Sequence, residues 1–554
     1  MRFKEKNWLL LVILTLGLLL RVLNSTFGSP SLYISNDEAI AHLSAFNMIA
    51  TKTPVSIANY TPLGAYVQIP FLILSFLAMK ILGYVNSVSD FELFVLTHEG
   101  YFLFIPRLIS ALFGTLTILV IYKITLLLFK SRKKSNTKSI ALIAASLTAV
   151  SFNLVHISHY GRPWAAALFF FILCAYFALR SKNLLSSASV GLSYAFHQVG
   201  VLAIPLILLS NARRVIFSNI LALVLMVSMI AVFSSLTLKV DFKESIKKDQ
   251  SFLKQGKFAA DLLVGNPDLI GSAVRSFWKN LSVYFILNLL VTDGILFLFS
   301  VWGIIKNFTA KGDTRKIIFL ITLYFMISSL FFIPVLRYLL PLILLLIPFA
   351  AYAIYSFFKN KIYLIFLVVI LCSINSVWWN WLYIKKPTFI LAYEWIIQNV
   401  PAQIPIAYIG GRYRTFAPNK QAILHVQSVN RGFDQRLLGL LPSNNYDNVR
   451  NILYVSSFPG SNKIENLENA TRDYKVAFIV DYYIDPVESI FLQQPKKFEL
   501  IKQFNPTRNG TIVGIPEPLF DASWNFPTND KRKKVSMYSL SNTGPYVDIL
   551  KIKY

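Results

Sequence analysis

Apolar and polar positions divide the chain into two unlike parts. Up to Tyr383, long and nearly unbroken apolar runs alternate with short polar connectors; from Lys385 on, the apolar residues come in brief bursts. A helix needs about 20 apolar residues to cross the hydrocarbon core of a bilayer. Runs approaching or reaching that length are Asn7–Leu23, Tyr101–Phe129, Ser139–Ser158, Trp164–Leu179, Val215–Leu238, Tyr284–Ile305, Ile317–Phe332, Tyr338–Phe358 and Ile362–Tyr383. Leu184–Phe196 and Val199–Leu209 are short for full spans and predict a helical hairpin tipped by His197-Gln198. Beyond Lys385, AYEWIIQNV predicts a short helix before Pro401. IPIAYIG, NILYVSS, YKVAFIVDYYI, FELIKQF and YVDILKI have the alternating or compact apolar patterns of strands. The pattern therefore predicts a mainly α, polytopic membrane helical bundle over 1–384, followed by an α/β domain over 385–554 large enough for its own core.

Charge orients this arrangement. Arg2, Lys4 and Lys6 precede the first run and no small-residue cleavage site follows it, which predicts an uncleaved helix with a cytoplasmic N-terminus. Leu63–Leu82 is apolar enough to be a span. Were it one, the next run would deliver Lys130, Arg132, Lys133, Lys134 and Lys138 to the outer side, against the positive-inside tendency. Placing Leu63–Leu82 in the interface, or as a re-entrant segment, makes 24–100 one external loop and puts the later basic connectors inside. The total is then about 11 crossings, with 385–554 outside the plasma membrane.

Composition agrees with this class. The chain has 554 residues, 55% hydrophobic and 15% charged, with a mean hydropathy of +0.55. Lys and Arg outnumber Asp and Glu by 54 to 27. Much of that excess lies in the short connectors, so the charge suits anionic lipid or a phosphate-bearing substrate rather than nucleic acid. Cys174 and Cys372 both sit in apolar runs, which excludes a disulfide framework, and no metal-ligand spacing occurs. The segment 385–554 contains no GxGxxG, P-loop, HExxH or GxSxG.

Ionisable residues gather at the ends of runs on the predicted outer side. Asp37, Glu38 and His42 follow the first run, Arg107 begins the next, and His156, His159 and Arg162 come after the third; His197 and Arg337 share that face. Carboxylates ringed by cations suit a reaction in which one acid takes a proton while cations hold an anionic leaving group. Each residue also has a structural reading. Asp37 is placed to cap a helix beginning at Glu38 or Ala39. Glu38 and His42, four residues apart, suit a solvated pair on one helical face as well as a metal pair. Arg107 and Arg337 suit snorkelling anchors, and His197 a structural tip. Asp293, in LLVTDGILFLF, is nominally intramembrane, but Thr292-Asp293-Gly294 reads as a helix start near the surface.

The order of these features resembles the GT-C membrane glycosyltransferases, in the branch of protein O-mannosyltransferases and bacterial aminoarabinose transferases. The residues that carry the likeness are Asp37-Glu38 in the first external loop, Tyr60-Thr61-Pro62-Leu63, and RLISALFGTLTILVIYKITLLLF from Arg107. His159-Tyr160-Gly161-Arg162, Arg337-Tyr338-Leu339-Leu340-Pro341 and AYEWIIQNVP complete the set. The match is good over residues 1–180 and rests on layout beyond them. The resemblance implies a polyprenyl-phosphate-linked sugar donor and a glycan, lipid or protein acceptor. Asp37 is then the base that deprotonates the acceptor hydroxyl, with inversion at the anomeric carbon, and Glu38 positions the acceptor or Asp37. His42, Tyr60, Arg107, His159, Arg162 and Arg337 are implied substrate contacts. No cofactor is implied, and a divalent cation is left open. Aminoarabinose transferases commonly have Lys-Pro-Pro-Leu where this chain has Tyr60-Thr61-Pro62-Leu63, so a cation to the lipid phosphate must come from elsewhere. The candidates are Arg107, Arg162 or a cation from the Lys239 to Lys279 loop.

Two other classes compete. A transporter or flippase of a lipid-linked saccharide predicts charges through the bilayer depth and inverted repeats, and neither is evident. A non-catalytic membrane scaffold with an external binding domain requires that Asp37 be dispensable.

Overall fold

A computed structural model describes residues 5–29, 36–52, 54, 61–130, 134–210, 216–237, 286–330, 339–359, 361–409, 415–419, 422, 449–455, 467, 474–483, 489–506, 541–542 and 546–553. The helices follow the apolar runs: α1 (Glu5–Val22), α2 (Asn36–Thr51), α3 (Leu63–Tyr66), α4 (Ile69–Ile81), α5 (Val88–Thr97), α6 (Phe104–Leu128), α7 (Lys134–Val150), α8 (Phe152–His159), α9 (Trp164–Leu179), α10 (Asn183–Phe196) and α11 (Ile216–Thr237). After the 239–283 loop, which lies outside the described residues, come α12 (Leu287–Asn307), α13 (Asp313–Leu330), α14 (Leu340–Phe358), α15 (Ile362–Ile384) and α16 (Thr388–Asn399).

Apolar residues sort these helices into two environments. In α14, every residue from Leu340 to Ala351 is buried, so this helix is the axis of the bundle. By contrast α15 exposes Tyr363, Phe366, Leu367, Ile370 and Ile374, and α4 exposes Phe71, Ile73, Leu74 and Leu77. Large apolar side chains facing outward along whole helices are what a hydrocarbon solvent selects. Among the described residues, four helical stretches are long and apolar enough to cross a membrane. These are Leu63–Ile81, Gly100–Leu128, Leu340–Phe358 and Ile362–Asn399, and a bent pair over 136–159 makes a fifth. Trp8–Val22, Trp164–Leu179, Gln198–Leu209 and Ile220–Phe233 are shorter. Full-length stretches among the described residues thus fall short of the expected total of about 11 crossings, and one of them, Leu63–Ile81, is the segment that charge placed in the interface or as a re-entrant segment. The predicted hairpin forms from α10 and a 3-10 segment, Gln198–Leu209, with His197 Nδ1 accepting from Val199 N–H at the tip.

All five predicted strands form: β1 (Ile406–Ile409), β4 (Ile452–Val455), β5 (Phe478–Tyr483), β6 (Phe498–Phe504) and β7 (Tyr546–Ile552). They build one mixed sheet in the order β4-β1-β5-β7-β6, with β1 parallel to β4 and β5 and with β7 antiparallel to β5 and β6. Two short strands, β2 (Ala417–Pro418) and β3 (Val449–Arg450), pair separately, and a single-turn α17 (Ile490–Gln493) precedes β6. Alternation along the strands gives the sheet two apolar faces. One holds Ala407, Ile409, Leu453, Ile479 and Leu550 with Ile490. The other, with Ile406, Tyr408, Ile452, Val480 and Ile549, joins a core that includes Phe27, Leu103, Phe152, Tyr160, Trp379 and Tyr383 from the helical part. Trp379 and Tyr383, at the end of the last apolar run, are buried at this junction.

Candidate functional site

Arg107 lies in the first turn of α6, where Pro106 is tolerated because the amide it lacks has no intrahelical partner. A cation there opposes the helix dipole and needs a carboxylate. Glu38, in the first turn of α2, supplies it. Arg107 Nε donates to Glu38 Oε1 at 2.7 Å and Nη2 to Oε2 at 3.0 Å, in the two-pronged geometry that suits a guanidinium. Nη1 donates to the carbonyls of Ser25 and Phe27, both at 2.8 Å, and the guanidinium lies 4.1 Å from the Phe27 ring centroid. Gly161 N–H completes the arrangement on Glu38 Oε1 at 2.6 Å. Glycine is required at that point: a Cβ there would come 2.7 Å from Pro106 and 3.1 Å from Glu38 Oε1. Both partners of the pair are buried, at 0% and 1% exposure, so Glu38 and Arg107 form a clamp tying α2, α6 and the 160–163 loop together.

One turn further along α2, buried His42 meets Gln68 through Nδ1 at 2.9 Å. Gln68 Nε2 donates to the Gly64 carbonyl at 2.8 Å, which leaves its oxygen toward the imidazole and so assigns the proton to Nδ1. Burial lowers the His42 pKa to about 4; the Gln68 bond and Glu38 oppose the shift, and Arg107 adds to it. Gln68 also lines a small hollow together with Gly64, Ser110, Arg162, Pro163 and Phe196. Arg162 is 2% exposed, its guanidinium carbon 5.5 Å from the Tyr160 ring centroid, and its carbonyl accepts from Ser110 Oγ at 2.9 Å.

Helix α8 brings in the histidines. His159 faces the Val155 carbonyl through Nδ1 at 3.0 Å, and Asn380 Oδ1 and the Leu23 carbonyl through Nε2 at 3.0 and 3.2 Å. His156 stacks on Phe152 and lies 3.3 Å from Tyr383 Oη, which donates to Tyr160 Oη at 3.0 Å. Phe27 stacks on Tyr383 with centroids 4.0 Å apart, linking this aromatic cluster to the Arg107 clamp.

Of the residues singled out in the sequence, Glu38, His42, Arg107, His159 and Arg162 therefore converge on one region where α2, α6 and the α8–α9 loop meet. Asp37 lies in the helical first turn of α2, which begins at Asn36, rather than in front of it as a cap. Tyr60 and Arg337 lie outside the described residues. Among the described residues, no group of three or more His, Cys, Asp or Glu side chains is placed to hold a metal. Of the two readings of Asp293, intramembrane or a helix start near the surface, the structure shows a buried residue standing where the helix breaks. It is buried at a kink inside α12, with φ −127° and ψ 39°, and caps a different helix, α8. Sequence reading passed over Gln68 and took in Gly161 only as part of the His159-Tyr160-Gly161-Arg162 motif, with no role of its own, because the parts of both depend on neighbours distant in the chain. It also passed over Arg21, whose position inside the first apolar run was the available signal.

No protein-family model and no curated protein matches the chain. Among solved structures it is similar to ArnT from Cupriavidus metallidurans in the apo state, at 12% identity and TM-score 0.47, with 90% of this chain and 96% of that chain covered. A second is the Archaeoglobus fulgidus oligosaccharyltransferase in the apo form, at 12% identity and TM-score 0.43, covering 87% of this chain and 70% of that one. A third is the arabinofuranosyltransferase AftD from Mycobacteria, at 15% identity and TM-score 0.32, covering 99% of this chain and 41% of that one. ArnT has also been solved bound to undecaprenyl phosphate, and the oligosaccharyltransferase with Zn and sulfate.

Proposed function

We propose that the chain is an integral membrane glycosyltransferase that moves a sugar from a polyprenyl-phosphate donor to an acceptor hydroxyl, with Asp37 as general base. The observation that carries this reading is the buried Glu38–Arg107–Gly161 clamp, which anchors the turn of α2 on which Asp37 stands. A base must be held within hydrogen-bond reach of the proton it takes, and a first turn tied to two other elements gives it a fixed origin. Both Glu38 oxygens are engaged by the buried guanidinium and the Gly161 amide, so its part is positioning and the base is Asp37. The deprotonated acceptor oxygen then attacks the anomeric carbon on the face opposite the phosphate. The bond from that carbon to the phosphate oxygen breaks, the configuration inverts, and polyprenyl phosphate leaves as the anion. Arg162, which lines the small hollow beside Gln68 and Ser110, is assigned to that anion. His42, Tyr60, His159 and Arg337 complete the proposed substrate contacts.

The test uses the purified chain in lipid nanodiscs with a series of polyprenyl-phosphate sugars and unbiased mass detection of transferred sugar. Asp37→Asn is expected to abolish transfer while accumulating normally and still protecting the donor from extraction. Transfer at the wild-type rate by that variant would rule out the mechanism.

A further inference from the structure

The segment joining α7 to α8 breaks and turns by 48° with neither glycine nor proline from 148 to 153 to cause it. A break inside a membrane protein leaves carbonyls and amides that other groups must satisfy. On the carbonyl side, Arg21 of α1 donates through Nη1 to Ala149 O at 3.0 Å and through Nη2 to Thr148 O at 2.9 Å, and Ser376 Oγ donates to Val150 O at 2.7 Å. On the amide side, Asp293 of α12 accepts from Phe152 N–H at 2.9 Å through Oδ1. Its Oδ2 accepts from Asn153 N–H at 3.2 Å, Asn153 Nδ2 at 2.6 Å and Ser151 Oγ at 2.9 Å. Arg21 is 1% exposed and Asp293 5%, and the described residues hold no ion pair for either.

Each charge has the sign its helix end requires: a cation on the negative end of α7 and an anion on the positive end of α8. Space is reserved for this geometry, since a Cβ on Gly114 of α6 would come 2.9 Å from Arg21 Nε and 2.2 Å from Ser158 Oγ of α8. At its far end α8 leads into Gly161, whose N–H rests on Glu38. A continuous set of contacts thus runs from Asp293 and Arg21 through α8 to the first turn of α2.

We propose that Arg21 and Asp293 are positioning residues for the transfer site, a pair of opposite charges that hold the α7–α8 break and through it the turn bearing Asp37. The inference rests on the glycosyl-transfer reading for its effect on rate, and on the contacts alone for its effect on structure. Hydrogen exchange of the full chain in nanodiscs separates the two. Asp293→Asn is expected to speed exchange about tenfold in peptides covering 152–162 and 36–46, leaving α14 unchanged. Exchanging the two side chains, Asn153→Asp with Asp293→Asn, returns a carboxylate to the first turn of α8 and is expected to restore wild-type exchange. Arg21→Met is expected to loosen 140–151 to a similar degree. In the transfer assay, Asp293→Asn should lower kcat about a hundredfold at unchanged KM for the donor, with recovery in the swapped variant. Wild-type exchange over 36–46 in Asp293→Asn overturns the proposal, as does a swap that restores neither exchange nor, where Asp293→Asn fails to accumulate, protein level. If the wild type transfers no sugar, the functional reading fails and the exchange result decides the bracket by itself.

Discussion

Adjacent in sequence, Asp37 and Glu38 have separate places in the proposal because of what surrounds them. Glu38 meets a guanidinium and a backbone amide at 2.6 to 3.0 Å in a fully buried setting. Removing one partner of such a pair strands the other charge, at a cost of about 3–5 kcal/mol. Glu38→Gln and Arg107→Met are each expected to lower the apparent unfolding temperature sharply, and the double variant less than the sum of the two; additive losses would show that the pair is not coupled. His42 gives a pH signature. Its folded pKa of about 4 lies below the ordinary histidine value, so the unfolded state binds the proton more readily. Its contribution is complete above pH 6.5 and is lost as pH falls through 4, roughly 3 kcal/mol in all. Replacing His42 by Gln should flatten stability over that interval in a pH series of thermal unfolding. None of these environments is visible in SNDEAIAH, where the same residues read equally well as a cap and a solvated pair.

At the scale of elements, helix and strand positions were legible because burial in lipid or in a sheet imposes its period on the residues. The break at Ser151 was not, since its cause is side chains more than a hundred positions away. The same holds for the clamp, which needs glycine at 161. Gly161→Ala is expected to destabilise by about 1–3 kcal/mol and to slow transfer, because the added methyl meets Pro106 at 2.7 Å and pushes the loop off Glu38. Normal stability and rate in that variant would mean the loop relaxes freely and that α2 is anchored elsewhere.

For the whole molecule, the sheet domain is tied to the bundle through a shared core rather than by a linker alone. The face carrying Ile406, Tyr408, Val480 and Ile549 joins Phe27, Phe152, Trp379 and Tyr383. A fragment of residues 385–554 made alone is expected to aggregate or to lack a cooperative transition by circular dichroism, since it would expose that face to water. A sharp, reversible transition in the fragment would show that its second core, around Ile479 and Leu550, suffices.

The sequence by itself determined the membrane class, the helical runs, the five strands and the set of ionisable residues to watch. Those features follow from local composition and period, which each segment carries without its neighbours. Which cation neutralises Glu38, which histidine is sealed against Gln68, and which charges hold α8 in its bend were decided by tertiary structure. The reason is that a charge in a low-dielectric interior is defined by the few groups within about 4 Å of it, and here those groups come from helices far apart in the chain. Asp293 shows the difference most plainly: its local motif leaves an intramembrane acid and a helix start both open, and only the fold brings its carboxylate to the first amides of α8.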